Sequence, residues 1–121
     1  MTARVLVADD EDNLRWVLEK GLRQAGYEVT CVEDGEAVLR AFAAEPFDLA
    51  FVDVKMPGLT GLEVLQRLRA SHPDAQVIVM TAHGTMDTAI QAMQRGAYDY
   101  LAKPFDLDEV VLLAERALEA R

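Results

Sequence analysis

Acidic residues recur in this chain where short apolar runs stop. Asp9-Asp10-Glu11-Asp12 follows Val5-Leu6-Val7-Ala8, and Asp53 follows Leu49-Ala50-Phe51-Val52. A hydroxyl, Thr81, ends Val77-Ile78-Val79-Met80, and Lys103-Pro104 ends the run from Tyr98 to Ala102. Carboxylates held together repel, and burial sharpens the repulsion, so such a set needs raised pKa values or a cation. Mg²⁺ meets that need, because it takes one or two carboxylates, keeps several waters and favours a phosphate oxygen, whereas an all-protein Ca²⁺ cage wants more oxygens. Asp10 and Asp53 are the candidate direct ligands, with Asp9 direct or through water. A carboxylate at the tip of a buried strand can also attack phosphorus and become an aspartyl phosphate, and Asp53 fits that role best. Phosphoryl transfer asks for in-line positioning and charge neutralisation more than acid-base work. A metal, the Lys103 ammonium and the Thr81 hydroxyl would supply both.

Each of these motifs has a plainer reading when taken alone. Asp9 to Asp12 is also what an acidic turn capping a helix looks like, a lone Asp after a strand is usually a turn residue, and Lys103-Pro104 is a strand stop. What favours chemistry is convergence. In open parallel α/β sheets ligands bind outside the carboxyl ends of the strands, and these residues fall there from four different strands.

The elements that must hold them follow from the alternation of apolar runs with helical patterns, the mark of parallel strands joined by crossover helices. Strands are expected at Val5 to Ala8, Glu28 to Val32, Leu49 to Val52, Val77 to Met80 and Tyr98 to Ala102, the mixed second and fifth towards the edges. A first helix from about Asp12 should bury Leu14, Val17, Leu18, Leu22 and Ala25, with Gly26 as its C-cap. Asp34 should cap a second helix carrying Ala37, Val38, Ala41 and Phe42, closed by Pro46. A third, about Leu62 to Ala70, uses Leu65 and Leu68 before Pro73. The fourth, about Met86 to Arg95, offers Ala89, Ile90 and Met93, a thin stripe. Asp106 opens a fifth with Leu107, Val110, Val111, Ala114, Ala117 and Leu118 on one face, and Glu119-Ala120-Arg121 gives it no stop signal. With no repeat, low-complexity tract or Gly/Ser linker, residues 1–121 read as one unit.

Composition narrows the function. At 121 residues and 51% apolar content the chain is sized for one domain with one buried core. Lys and Arg number 12 against 21 Asp and Glu, a net charge of −9 that offers no footprint for DNA or an anionic membrane. Any nucleic-acid contact is expected from another domain. No segment approaches the ~18 apolar residues of a membrane span, and Cys31, alone in an apolar run, reads as core filler in a reducing compartment. A cytoplasmic protein is the expectation.

Taken together, Val7-Ala8-Asp9-Asp10-Glu11, Val52-Asp53-Val54-Lys55-Met56-Pro57-Gly58 with Gly61, Met80-Thr81-Ala82 and Gly96-Ala97-Tyr98-Asp99-Tyr100-Leu101-Ala102-Lys103-Pro104-Phe105 resemble the receiver domains of bacterial response regulators over essentially the whole chain. The resemblance implies a doubly wound, flavodoxin-like α/β fold, a five-stranded parallel sheet in the order 2-1-3-4-5 flanked by five helices. It implies Asp53 as phosphoacceptor, Mg²⁺ held by Asp10, Asp53 and the backbone carbonyl of Lys55 with Asp9 through water, and Lys103 on the phosphoryl group. Thr81 and Tyr100 would form the switch, the hydroxyl turning to the phosphoryl oxygen and the ring turning inward. A cis Lys103-Pro104 bond, Ala82 leaving room for a phosphodonor, and Lys55 and His83 tuning hydrolysis are further implications. The only chemistry catalysed would be the chain's own phosphorylation and dephosphorylation. The partners implied are a cognate histidine kinase, with Trp16 as an exposed docking candidate on the first helix, and a second copy through helix 4 or 5. The thin fourth helix, beside Thr81, would be the part that moves. Leu14-Arg15-Trp16-Val17-Leu18-Glu19 and the segments around Thr81 and Lys103 look most like the nitrogen-regulatory branch, whose members carry an ATPase domain acting on sigma-54 polymerase and a DNA-binding domain in a longer chain.

Three other readings compete. A haloacid-dehalogenase-type phosphatase wants a second Asp two residues after its nucleophile, where this chain has Lys55. A stand-alone receiver or docking module would lack a DNA-binding output, and one working without modification would not need Asp53, Thr81 and Lys103. A dinucleotide-binding fold fails for want of a Gly-rich loop after the first strand.

Overall fold

The computed structural model describes residues 2–82 and 86–120. These form five strands and five helices in strict alternation: β1 Arg4–Ala8, α1 Asp12–Gln24, β2 Glu28–Val32, α2 Gly35–Ala44, β3 Leu49–Asp53, α3 Gly61–Ser71, β4 Gln76–Thr81, α4 Met86–Gln94, β5 Asp99–Ala102 and α5 Leu107–Ala120. All pairings are parallel and the order is β2-β1-β3-β4-β5, as expected, with the mixed β2 and β5 at the edges.

The continuous apolar runs of β1, β3 and β4 are explained by burial on both faces. Successive side chains point to opposite sides, so Val5, Val7, Leu49, Phe51, Ile78 and Met80 join Leu18 and Leu22 of α1 and Val110, Leu113, Ala114 and Ala117 of α5 in one core. Leu6, Ala8, Ala50, Val52, Val77 and Val79 join Val38 and Phe42 of α2, Val64, Leu65 and Leu68 of α3 and Ala92 of α4 in the other. Each large side chain buried in this way stabilises the fold by roughly 1.5–3 kcal/mol before entropy is counted.

Local signals set the helix ends. The Asp34 carboxylate accepts the Ala37 N–H at 2.8 Å, a cap worth about 1 kcal/mol, and α3 opens with a reciprocal capping box between Thr60 and Glu63. After α1, Gly26 takes φ 100°, the Tyr27 N–H reaches the Leu22 carbonyl and the Gly26 N–H reaches the Arg23 carbonyl, which is a Schellman ending. Gly21, inside α1, is the place where α5 comes close: a Cβ there would stand 2.8 Å from Leu107 Cδ2.

The helix faces differ from expectation at four positions. Ala25 is exposed, because the chain has already left the helix there as its C-cap. Ile90 and Met93 are 49% and 43% exposed, since α4 turns Ala89 and Ala92 to the sheet instead. Leu107 is 37% exposed, lying over Gly21 at the rim of the core, and Leu113 takes its place inside. Leu14, Val17, Val111 and Leu118 are half-buried. The Lys103-Pro104 bond is cis.

Candidate metal centre

Register brings the acidic residues together. Ala8 lies opposite Val52 across β1 and β3, so the residues that follow, Asp9 and Asp53, leave neighbouring strands at the same level. Thr81 lies opposite Ala102, and the Lys103 N–H donates to the Thr81 carbonyl at 2.9 Å, which sets the lysine beside them. Behind Asp53 the chain turns sharply into α3, and Gly61 is required there because a Cβ would fall on the Asp53 carbonyl oxygen. The sequence-predicted residues Asp9, Asp10, Asp53, Thr81 and Lys103 therefore share one rim.

Asp9 is fully buried, Asp53 and Thr81 nearly so, and Asp10 is exposed at the mouth. One Asp9 oxygen accepts the Glu11 N–H at 2.9 Å, and the other accepts from Lys103 Nζ at 2.9 Å. The same ammonium donates to Asp53 at 3.0 Å, while the second Asp53 oxygen accepts the Lys55 N–H at 3.3 Å. Burial raises the Asp53 pKa against the lowering pull of the Lys103 hydrogen bond, and the neighbouring Asp9 charge raises it further. Burial alone would lower the Lys103 pKa, but its bonds to Asp9 and Asp53 outweigh that and leave it raised. One ammonium thus serves two buried carboxylates, and among the described residues no ion pair reaches Asp10.

Carboxylate oxygens of Asp9, Asp10 and Asp53 all lie within 4.8 Å of one another. Opposite ligands of Mg²⁺ stand about 4.2 Å apart at its ~2.1 Å bonds. Three hard oxygens on that scale, two of them desolvated and under-neutralised, fit a small divalent cation. Lys55 follows Asp53 closely enough for its N–H to reach that carboxylate, though its side chain is exposed. His83 lies outside the described residues.

Tyr100 is half-buried on β5 and lines an open apolar groove of about 440 Å³ with Met86, Ala89, Ile90, Met93 and Gln94. Trp16 is 62% exposed, with Lys20 Nζ 4.9 Å above its ring. A second groove, beside Lys103, is lined by Glu11, Leu14, Ala82, Pro104 and Phe105. Cys31 is half-buried rather than core, and its thiol, with a pKa raised to about 11 by burial and by Glu19, is an unreactive packing group.

Sequence reading overlooked Arg15, which reaches the Asp9 carbonyl at 2.7 Å. No sequence signature marks a side chain that binds a backbone oxygen.

The family model described as response regulator receiver domain matches residues 5–115. The DNA-binding transcriptional regulator NtrC of Escherichia coli (strain K12) is 48% identical over 114 residues, which is 94% of this chain and 24% of that protein. The chain thus spans about a quarter of the length of such relatives. Among solved structures, NtrX from Brucella abortus in complex with ADP superposes with a TM-score of 0.94 at 38% identity, over 99% of this chain and 28% of that one. The receiver domain of NtrX from Brucella abortus gives 0.93 at 37% identity, over 97% of this chain and 99% of that one.

Proposed function

The chain belongs to the response regulator receiver domain family, and on that footing we propose that it is a Mg²⁺-dependent phosphoacceptor switch in which Asp53 takes a phosphoryl group from a histidine kinase. The observation that supports this reading is the under-neutralised rim, where Asp9, Asp10 and Asp53 converge on one another and a single lysine pairs with Asp9 and Asp53.

In the proposed reaction an Asp53 carboxylate oxygen attacks phosphorus, the new O–P bond forms in line, and the bond to the donor nitrogen breaks. Asp10, Asp53 and the Lys55 carbonyl, with Asp9 through water, would hold Mg²⁺, which when bound neutralises charge on the phosphoryl oxygens. Lys103 Nζ, already hydrogen-bonded to Asp53, needs only to follow the new phosphoryl oxygen to supply a positive contact. Ala82, small and half-buried, would leave room for a phosphodonor beside Asp53. Thr81 would turn its hydroxyl to the modified Asp53, and Tyr100 would follow from the groove it lines with α4. A helix anchored mainly by Ala89 and Ala92 is suited to respond.

The output proposed is sigma-54-dependent transcription, through ATPase and DNA-binding domains in a longer parent chain, with Trp16 facing the kinase and helix 4 or 5 facing a second copy. Its support is likeness to NtrC, described as a DNA-binding transcriptional regulator.

The test is intact mass after incubation with acetyl phosphate, with and without Mg²⁺, in the wild type and Asp53→Asn. A single phosphoryl gain that needs Mg²⁺ and vanishes in the variant is expected. No gain in the wild type, or the same gain in the variant, would refute the assignment.

A further inference from the structure

Arg15 stands on α1 outside the acidic cluster, yet its guanidinium ties together the segments that carry it. Nη1 donates to the Asp9 carbonyl at 2.7 Å, while Nη2 pairs with Asp12 and, at 3.2 Å, with Glu33. These acceptors come from the end of β1, the first turn of α1 and the residue after β2. The side chain is only 14% exposed. Its own backbone is fixed as well, the N–H donating to the Glu11 carbonyl at 3.1 Å.

The Asp9 carbonyl belongs to the planar peptide whose nitrogen is that of Asp10, so holding the oxygen fixes the direction in which Asp10 leaves the strand. Asp9 has anchors of its own in Glu11 and Lys103. Asp10 is exposed, and no ion pair reaches it among the described residues. We infer that Arg15 is a positioning residue for the Mg²⁺ site, aiming the Asp10 carboxylate by clamping the Asp9-Asp10 peptide. This rests on the proposed role of Asp10 as a direct ligand.

Charge and geometry make opposite predictions here. A guanidinium at the rim repels a cation, so loss of its charge alone would tighten Mg²⁺ binding, whereas loss of the clamp would weaken it. Lysine keeps the charge but cannot reproduce the forked contact to three acceptors.

The experiment is calorimetric titration of the chain with MgCl₂, comparing wild type, Arg15→Gln and Arg15→Lys, with thermal melts for each. A dissociation constant raised about tenfold in both variants is expected, with a displaced Asp10 amide resonance in the metal-free proteins. The acetyl phosphate labelling rate should return to within about twofold of wild type at saturating Mg²⁺, because the loss is in binding. Arg15→Lys, the milder change, decides the question where Arg15→Gln lowers the melting point. Tighter binding in Arg15→Gln with no change in Arg15→Lys would reduce Arg15 to a charge and overturn the inference, as would unchanged binding in both. A wild type that binds no Mg²⁺ would instead strike at the proposed function.

Discussion

At the amino ends of the strands, Arg4 lies 3.8 Å from Glu28, pairs with Glu45, and donates its backbone N–H to Asp48 at 2.8 Å. Arg23 nearby is shared between Glu19 and the Val29 carbonyl, each at 2.9 Å. At the carboxyl ends, Asp9, Asp10 and Asp53 gather together, and one lysine pairs with Asp9 and Asp53. Both rims use acids and bases, yet the first is paired off at partly exposed positions while the second keeps excess negative charge where water is largely excluded. Burying charge without full compensation costs stability, so the carboxyl rim is the less favourable of the two arrangements for the resting fold. The difference supports the rim proposed for the chemistry on grounds other than family likeness.

The largest effect that sharpens this contrast is expected from Lys103→Met, which removes the ammonium proposed to meet the phosphoryl oxygens. Labelling by acetyl phosphate should slow about 100-fold, a loss in keeping with deletion of one transition-state donor, measured as initial rates by mass. A rate near wild type would mean the lysine only neutralises the resting site.

The same variant, in metal-free buffer, should be less stable than wild type near neutrality by about 1–3 kcal/mol, reduced from the fully buried case by partial exposure. The lysine's pKa is raised in the fold, so its contribution is complete below the ordinary lysine value of ~10.4 and fades as pH climbs through the folded one. Asp53, also raised, should rise further without Lys103, so the variant regains stability as falling pH protonates it. Urea melts should therefore show a gap that narrows in both acid and strong alkali, and a pH-independent gap would break the electrostatic explanation.

The smallest effect is expected at the other rim. Arg4→Ala removes exposed ion pairs and a cation held 5.0 Å over Phe47, and should cost about 1 kcal/mol in a urea melt. Labelling and Mg²⁺ affinity should not change. A slowed reaction would mean the two rims are coupled.

Much of this was legible in the chain. Strand positions fell within a residue or two of those found, because β1, β3 and β4 are covered on both faces and read as unbroken apolar runs. The rim followed, since a residue just past a strand end has few other places to go. The face of α4 was misread because Ile90 and Met93 are as apolar as Ala89 and Ala92 but larger, and periodicity cannot say which of two apolar stripes meets the sheet. The third helix starts at Gly61, just before the expected Leu62, because the Thr60–Glu63 capping box sets its first turn. Arg15 was legible only as part of a likeness, for its partners come from three separated segments and one of them is a carbonyl.

The most direct test of the contrast between rims is a Mg²⁺ titration followed by ¹H–¹⁵N correlation spectra of the metal-free protein. Amide shifts concentrated at residues 9–12, 53–55 and 81–82 and at Lys103, with Arg4, Glu28 and Glu45 unmoved, are the predicted result. Shifts of equal size at both ends of the sheet, or none at the carboxyl ends, would contradict it.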